Sequence, residues 1–261
     1  MRETRCGTLV ALSCGAVILV AAAAGCRDRS ARVGDLTALA DEWGTDKGTR
    51  GHHYTEVYDR FFSPIRQDAR KVLEIGVLKG ASLRMWRDYF PHAMVYGIDI
   101  EDTSSVNSDR IRTYVADQAN RKQLQAFLDA AGSDFDLILD DGGHTMEQQQ
   151  VSFGYLFRHV KPGGYYVIED VHTSLYALYH DEFGATPGGE GTTLAMIDHF
   201  VRTGTIESSH MTPEEKDSFK GNIVYANLLR QENGHSIACI FRKKGPQDER
   251  GKRPAHASTQ P

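Results

Sequence analysis

The chain has 261 residues, of which 25% are charged, 40% hydrophobic and 9% aromatic. That balance excludes collagen, a long coiled coil and a wholly disordered chain, and the length suits one large α/β domain or two small ones. The net charge of −5 argues against a nucleic-acid-binding surface, which would be basic. Of the four cysteines, Cys6, Cys14 and Cys26 sit near the amino terminus and only Cys239 lies in the body. A disulfide-stapled fold is therefore not expected.

Residues 7–25 form an apolar run broken only by Thr8, Ser13 and Cys14 and preceded by Arg2 and Arg5, the pattern of a signal sequence or membrane anchor. The run ends in Ala23-Ala-Gly-Cys26, similar to a bacterial lipobox with Cys26 as the lipidated residue, although Ala23 stands where leucine is usual. An uncleaved anchor is one alternative: Arg27, Arg29 and Arg32 outnumber Arg2 and Arg5, which favours a body held in the cytoplasm. A later translation start is another. Residues 1–32 are thus expected to be a signal, lipoprotein or anchor segment that tethers the protein to a membrane through residues 1–26; with a later start the protein is cytoplasmic. Residues 33–244 then form the folded domain. Residues 245–261, bearing Pro, Gly, Lys and Arg without apolar periodicity, are expected to be a disordered tail.

After an amphipathic opening (Leu36, Leu39, Ala40, Trp43) the first strand is expected at 71–76, followed by a helix at 81–89 that Pro91 stops. Strands are expected at 94–99 and 111–116. A helix with Leu124, Phe127 and Leu128 on one face follows at 121–131. A strand at 135–140, a helix at about 147–159 and a strand at 163–168 complete an alternation that implies a parallel sheet with helices on both faces. Residues 179–193, rich in Gly and acidic side chains, read as a mobile loop over an acceptor site. The end differs: strand-like runs at 223–229 and 235–242 flank the turn signal Asn233-Gly234. An antiparallel hairpin therefore closes the sheet, unlike the two repeated halves of a dinucleotide-binding fold.

Ligands of open α/β sheets sit beyond the carboxyl ends of the strands. Those ends here carry Glu74 and Gly76, Asp99, Asp117, Asp140 and Asp141, then Glu169 and Asp170. One aspartate at a strand end is commonly a cap or a solvated turn; a carboxylate at every parallel strand points to a site. The first loop, Glu74-Ile-Gly-Val-Leu-Lys-Gly-Ala-Ser82, lacks the G-x-G-x-x-G spacing of a nicotinamide site. Gly76 allows close approach to backbone, and Asp99 follows at the distance that suits a ribose diol.

The chain resembles a known family through Gly44-Thr-Asp-Lys-Gly48, His53-Tyr-Thr55, Leu73-Glu-Ile-Gly-Val77, Ser82-Leu-Arg-Met-Trp86, Tyr89-Phe-Pro91, Gly97-Ile-Asp-Ile100, Asp140-Asp-Gly-Gly-His144 and Pro162-Gly-Gly-Tyr-Tyr-Val-Ile-Glu-Asp170. These are similar to the macrocin and mycinamicin sugar O-methyltransferases, class I S-adenosylmethionine (SAM) enzymes acting on deoxysugars of macrolide antibiotics. The resemblance runs from about Asp35 to Lys244. It implies a Rossmann-like α/β fold with a seven-stranded, mostly parallel sheet and an antiparallel carboxyl-terminal hairpin. It also implies that Glu74, Gly76 and Ser82 shape the methionine side of a cofactor pocket, that Asp99 holds the ribose, that Asp117 and Gln118 lie at the adenine, and that Asp141 borders the cofactor. His53 and Tyr54 would belong to an amino-terminal lid. The family's Asp-Asp-Gly-Ser-His reads Asp-Asp-Gly-Gly-His here, with Gly143 replacing serine.

By the same resemblance Asp141, Glu169 and Asp170 are ligands of a metal, and His144 is the catalytic base. The chemistry agrees. A sugar hydroxyl is almost wholly protonated near neutral pH and needs a cation that lowers its pKa, a base beside it, or both. Hard oxygen donors suit Mg²⁺, and no Cys/His set for structural zinc exists in the body. Imidazole titrates in the range a base requires. The function expected is SAM-dependent, Mg²⁺-dependent methyl transfer to a sugar or similar polyol, with no nucleic-acid partner and with self-association left open. The rivals are a methyltransferase with an amine or phenol acceptor, a membrane-tethered binding protein that has lost turnover, and a nicotinamide oxidoreductase. His52, His172 and His180 lack metal-binding spacing and are assigned to the surface or lid. Trp86 and Cys239 are assigned to the core.

Overall fold

A computed structural model describes residues 36–231 and 236–249. The chain opens with helices α1 (Leu36–Trp43) and α2 (Thr55–Phe62). Strand β1 (Lys71–Ile75), helix α3 (Ala81–Tyr89) and strands β2 (Met94–Asp99) and β3 (Ile111–Val115) follow. Then come α4 (Arg121–Ala131), β4 (Phe135–Asp140), α5 (Met146–Leu156) and β5 (Val160–Ile168). Short helix α6 (Tyr176–Tyr179), α7 (Thr193–Thr203), α8 (Pro213–Phe219) and the hairpin β6 (Ile223–Arg230) and β7 (Ile237–Lys243) complete it. The sheet has seven strands in the order β3-β2-β1-β4-β5-β7-β6. The first five are parallel, and β7 enters antiparallel to both β5 and β6.

Local chemistry accounts for the sharpest boundaries. The Asn120 side chain accepts from the backbone of Lys122 and Gln123 to start α4, which ends at Gly132 in the left-handed region. Thr145 and Gln148 form a reciprocal capping box at the start of α5. Helix α3 buries Leu83, Met85, Trp86 and Tyr89 on one face and ends just ahead of Pro91.

Strand pleating divides the core into two layers. Leu73, Ile75, Ile138, Tyr166, Ile168, Cys239 and Phe241 pack with residues of α4, α5, α7 and α8 on one face. Val72, Leu137, Leu139, Val167, Ala238 and Ile240 pack with α1, α2 and α3 on the other. Trp86 and Cys239 are both fully buried.

Several details differ from the sequence reading. Helices α2, α7 and α8 were not expected. Strand β5 starts at Val160, because Gly163, at φ +85°, absorbs a register shift against β4. Residues 245–249 are tied to the sheet, with Arg242 paired to Asp248 at 2.8 Å and the Gly245 amide donating to the same carboxylate. The loop expected over an acceptor site is fastened to α5 through Met146 N to Phe183 O (2.9 Å) and Gln150 Nε2 to Gly191 O (2.8 Å). Residues 186–189 of it line a separate cleft beside α7 and β6. Among the described residues no helix is long and apolar enough to cross a membrane. The anchor or lipoprotein segment expected at 1–32, with Cys26, lies outside the described residues, as do residues 33–35, the expected Asn233-Gly234 turn and residues 250–261.

Candidate active site

The carboxyl ends of β1, β2 and β4 open onto a cleft of about 740 Å³, lined among others by Gly76, Ser82, Asp99, Asp117, Asp141 and His144. The β1–α3 turn crosses close to the loop after β4. Gly76 (φ +86°) donates its amide to Ile98 O, and Asp141 donates its amide to Ile75 O. Asp99 holds the turn in shape: one carboxylate oxygen accepts from the amides of Val77 (2.8 Å) and Leu78 (3.1 Å), and the other from Glu101 (3.0 Å). Burial would raise its pKa, but these amides outweigh that and leave it lowered.

Pleat parity decides which carboxylates meet. Glu74 shares the parity of Val72, and Asp141 and Glu169 continue that of Leu139 and Val167, so all three turn toward the α1–α3 layer. There Lys47, fully buried in the stretch between α1 and α2, donates to Asp141 Oδ2 and to Glu169 Oε2 (2.8 Å) and stands 3.4 Å from Glu74 Oε1. Burial opposes the ammonium charge, yet the three carboxylates raise its pKa well above the ordinary lysine value. Burial pushes Glu74 up to about 7 against the pull of Lys47, and it raises Asp141 and Glu169 too. Glu74 Oε2 accepts from Ser82 Oγ (2.7 Å) and Glu169 Oε1 from Tyr58 Oη (2.9 Å).

Asp140 has the opposite parity and faces α5, where Ser152 donates to it and Gln118 Nε2 lies 2.9 Å away. Gln118 is thereby committed. Its oxygen accepts from Gly143 N at 2.9 Å, so it braces the loop after β4.

His144 and Asp170 are non-glycine residues in the left-handed region, at φ 60° and 53°. Such backbone persists only where its surroundings fix it; here the single Thr173 hydroxyl proton is shared between His144 O and Asp170 O, each 3.0 Å from Oγ1. The His144 imidazole comes 3.6 Å from Asp170 Oδ2 and 3.8 Å from Asp141 Oδ1, and its Nδ1 is buried without a partner. Asp141, His144 and Asp170 each present one ligand atom, all within 4.8 Å of one another. Two carboxylates that are only partly exposed and converge at a cleft mouth form a donor set that fits a hard divalent ion.

Glu169 stands apart from that trio, with its oxygens turned to Lys47 and Tyr58. His53 is exposed and gives its carbonyl to Gln231 Nε2 (2.9 Å); the inward place belongs to His52, 3.9 Å from Asp170 Oδ1 and stacked on Tyr54. Tyr54 is fully buried and donates to Asp170 Oδ1 at 3.1 Å. Sequence reasoning gave no role to Lys47 or Tyr58. The signals were present: a lysine inside the Gly44–Gly48 motif, and tyrosines at 54 and 58, whose i,i+4 spacing puts both hydroxyls on one side of α2.

Residues 73–171 match the family model described as a methyltransferase domain. The chain is 35% identical to mycinamicin VI 2''-O-methyltransferase of Micromonospora griseorubida, over 87% of this chain and 56% of that one. It is 36% identical to demethylmacrocin O-methyltransferase of Streptomyces fradiae, over 81% and 55%. Among solved structures, the MycE methyltransferase from the mycinamycin biosynthetic pathway, in complex with Mg, SAH and mycinamycin VI, superposes with a TM-score of 0.68 at 33% identity, covering 86% of this chain and 58% of that one. The chain spans about half the length of the curated relatives it matches.

Proposed function

We propose that this chain, a class I methyltransferase domain resembling the mycinamicin and macrocin sugar O-methyltransferases, moves the S-methyl group of SAM to a sugar hydroxyl of a small-molecule glycoside with the help of Mg²⁺. The observation that carries this reading is the convergence of Asp141, His144 and Asp170 on a cleft that the Gly76 and Asp99 turn also lines. The structure of the MycE methyltransferase in complex with Mg, SAH and mycinamycin VI supports this reading.

Asp141 and Asp170 would hold the ion, with Glu169 as a third ligand, and its charge would favour the ionised form of a hydroxyl beside it. The chain's own groups do the rest. Gly76 lets the cofactor approach backbone, and Asp99 keeps the turn rigid while its remaining lone pairs accept from ribose hydroxyls. Ser82 and Glu74 fix the floor beneath the methionine portion. His144 takes the proton from the acceptor hydroxyl. The oxygen's electron pair then forms the new C–O bond to the methyl carbon, the C–S bond breaks, and its electrons stay on sulfur to give S-adenosylhomocysteine. Fixing both reactants in line supplies much of the rate.

Calorimetric titration of SAM into the whole chain with Mg²⁺ present tests this reading. Saturable one-site binding is expected, and it would lead to an acceptor screen over glycosides with Asp141→Ala as the inactive comparison. No binding at millimolar SAM would overturn the assignment.

A further inference from the structure

The carboxylates behind the cleft already hold a cation. The Lys47 side chain, 1% exposed, reaches Asp141 and Glu169 directly, and the second oxygen of Glu169 is taken by Tyr58. Glu169 is accordingly missing from the group of ligand atoms that converge, which is Asp141, His144 and Asp170. An ammonium and a divalent ion seek the same oxygens and repel each other at this range, so Lys47 and a three-carboxylate ion site are alternatives. The lysine also has somewhere to go. Glu74 Oε1 is buried, 3.4 Å from the ammonium, and has no other polar partner; a four-carbon stem allows a shift of that size. Lys47 belongs to the stretch that joins α1 to α2. Its residues 43–46 line the cleft, and its Tyr54 hydroxyl is bonded to Asp170.

We propose that Lys47 is a latch that occupies Glu169 and Asp141 until a divalent ion loads, then retreats to Glu74, loosening residues 44–54 along the cleft wall. Lys47 is thus a positioning residue that couples ion loading to access to the cleft. The inference rests on the ion requirement proposed above.

Mn²⁺ binding, followed by the loss of the free-ion paramagnetic resonance signal, tests it on the whole chain and on Lys47→Met and Lys47→Arg. Lys47→Met should bind Mn²⁺ at least tenfold more tightly than wild type, whereas Lys47→Arg, which keeps the charge, should not. A merely structural lysine would give equal or weaker binding in Lys47→Met, and that result overturns the latch. Should Lys47→Met fail to fold, hydrogen exchange on wild type decides: saturating Mn²⁺ should speed exchange in residues 44–54 several-fold, and unchanged or slower exchange overturns the proposal. Mn²⁺ binding with equal constants removes the latch alone. No binding in any of the proteins removes the ion requirement as well, while SAM titration still tests methyl transfer independently.

Discussion

Gly76 and Asp141 lie so close that a β-carbon on Gly76 would stand 2.1 Å from the Asp141 carbonyl oxygen. The contact joins the turn after β1 to the loop after β4, the two segments that form the floor of the cleft. With φ at +86°, the position is doubly restricted to glycine. Gly76→Ala is expected to cost about 3 kcal/mol of stability from backbone strain and overlap, and to weaken SAM binding at least tenfold. Urea denaturation and calorimetry would check this; a variant with wild-type values for both would refute it.

Asp99 accepts three backbone amides through two oxygens. In Asp99→Asn one oxygen becomes an NH₂ that faces N–H donors, leaving at least one unsatisfied. A loss of about 1–3 kcal/mol is expected, with SAM affinity reduced tenfold or more because the turn loses its shape. Equal SAM affinity in the two proteins would show that the carboxylate is not needed.

His144 and Asp141 should separate by phenotype. His144→Gln removes the imidazole proposed as the base but leaves both carboxylates, so turnover should fall about 10²–10⁴-fold, with SAM binding and Mn²⁺ binding within a few-fold of wild type. Asp141→Asn should lose Mn²⁺ binding as well as turnover. If His144→Gln keeps full turnover on an accepted glycoside, the imidazole is not the base.

Asp140, on the α5 side of the sheet, gives a pH prediction. Burial pushes its carboxyl up to about 6, against the bonds from Ser152 and Gln118, whereas an unfolded aspartate titrates near 3.9. Between those values the native state binds more protons than the unfolded one, so this group's contribution to stability falls as pH rises from about 4 to about 6, then levels off. Asp140→Asn does not titrate there and can keep both partners, with Ser152 accepting instead of donating. The variant should gain up to about 3 kcal/mol on wild type across that window. Urea melts at intervals between pH 4 and 7 would give parallel curves if Asp140 were not the cause.

Much of this was legible because local chemistry set it. Helices α3 and α4 and strands β2 and β4 begin and end where Pro91, Asn120, Gly132 and the apolar runs place them, since caps, breakers and periodicity act over a few residues. The closing hairpin was legible for the same reason. Helices α7 and α8 were not, because each buries only a few side chains and their stability comes from packing on the α5 face.

The linear order of residues puts a carboxylate at or just beyond the end of every parallel strand, with Gly76 at the first turn. It could not determine which of them share a chamber. Lys47 and Glu169 are separated by 122 positions, and Asp140 and Asp141 are neighbours that face opposite layers of the core. The left-handed backbone at His53 likewise puts His52, and not His53, toward Asp170. Those outcomes follow from the pleat, which sends alternate residues to opposite faces, and from the docking of the amino-terminal helices on one face. Only that packing brings Lys47 and Tyr58 to Glu169 and leaves Asp141, His144 and Asp170 together at the mouth of the cleft.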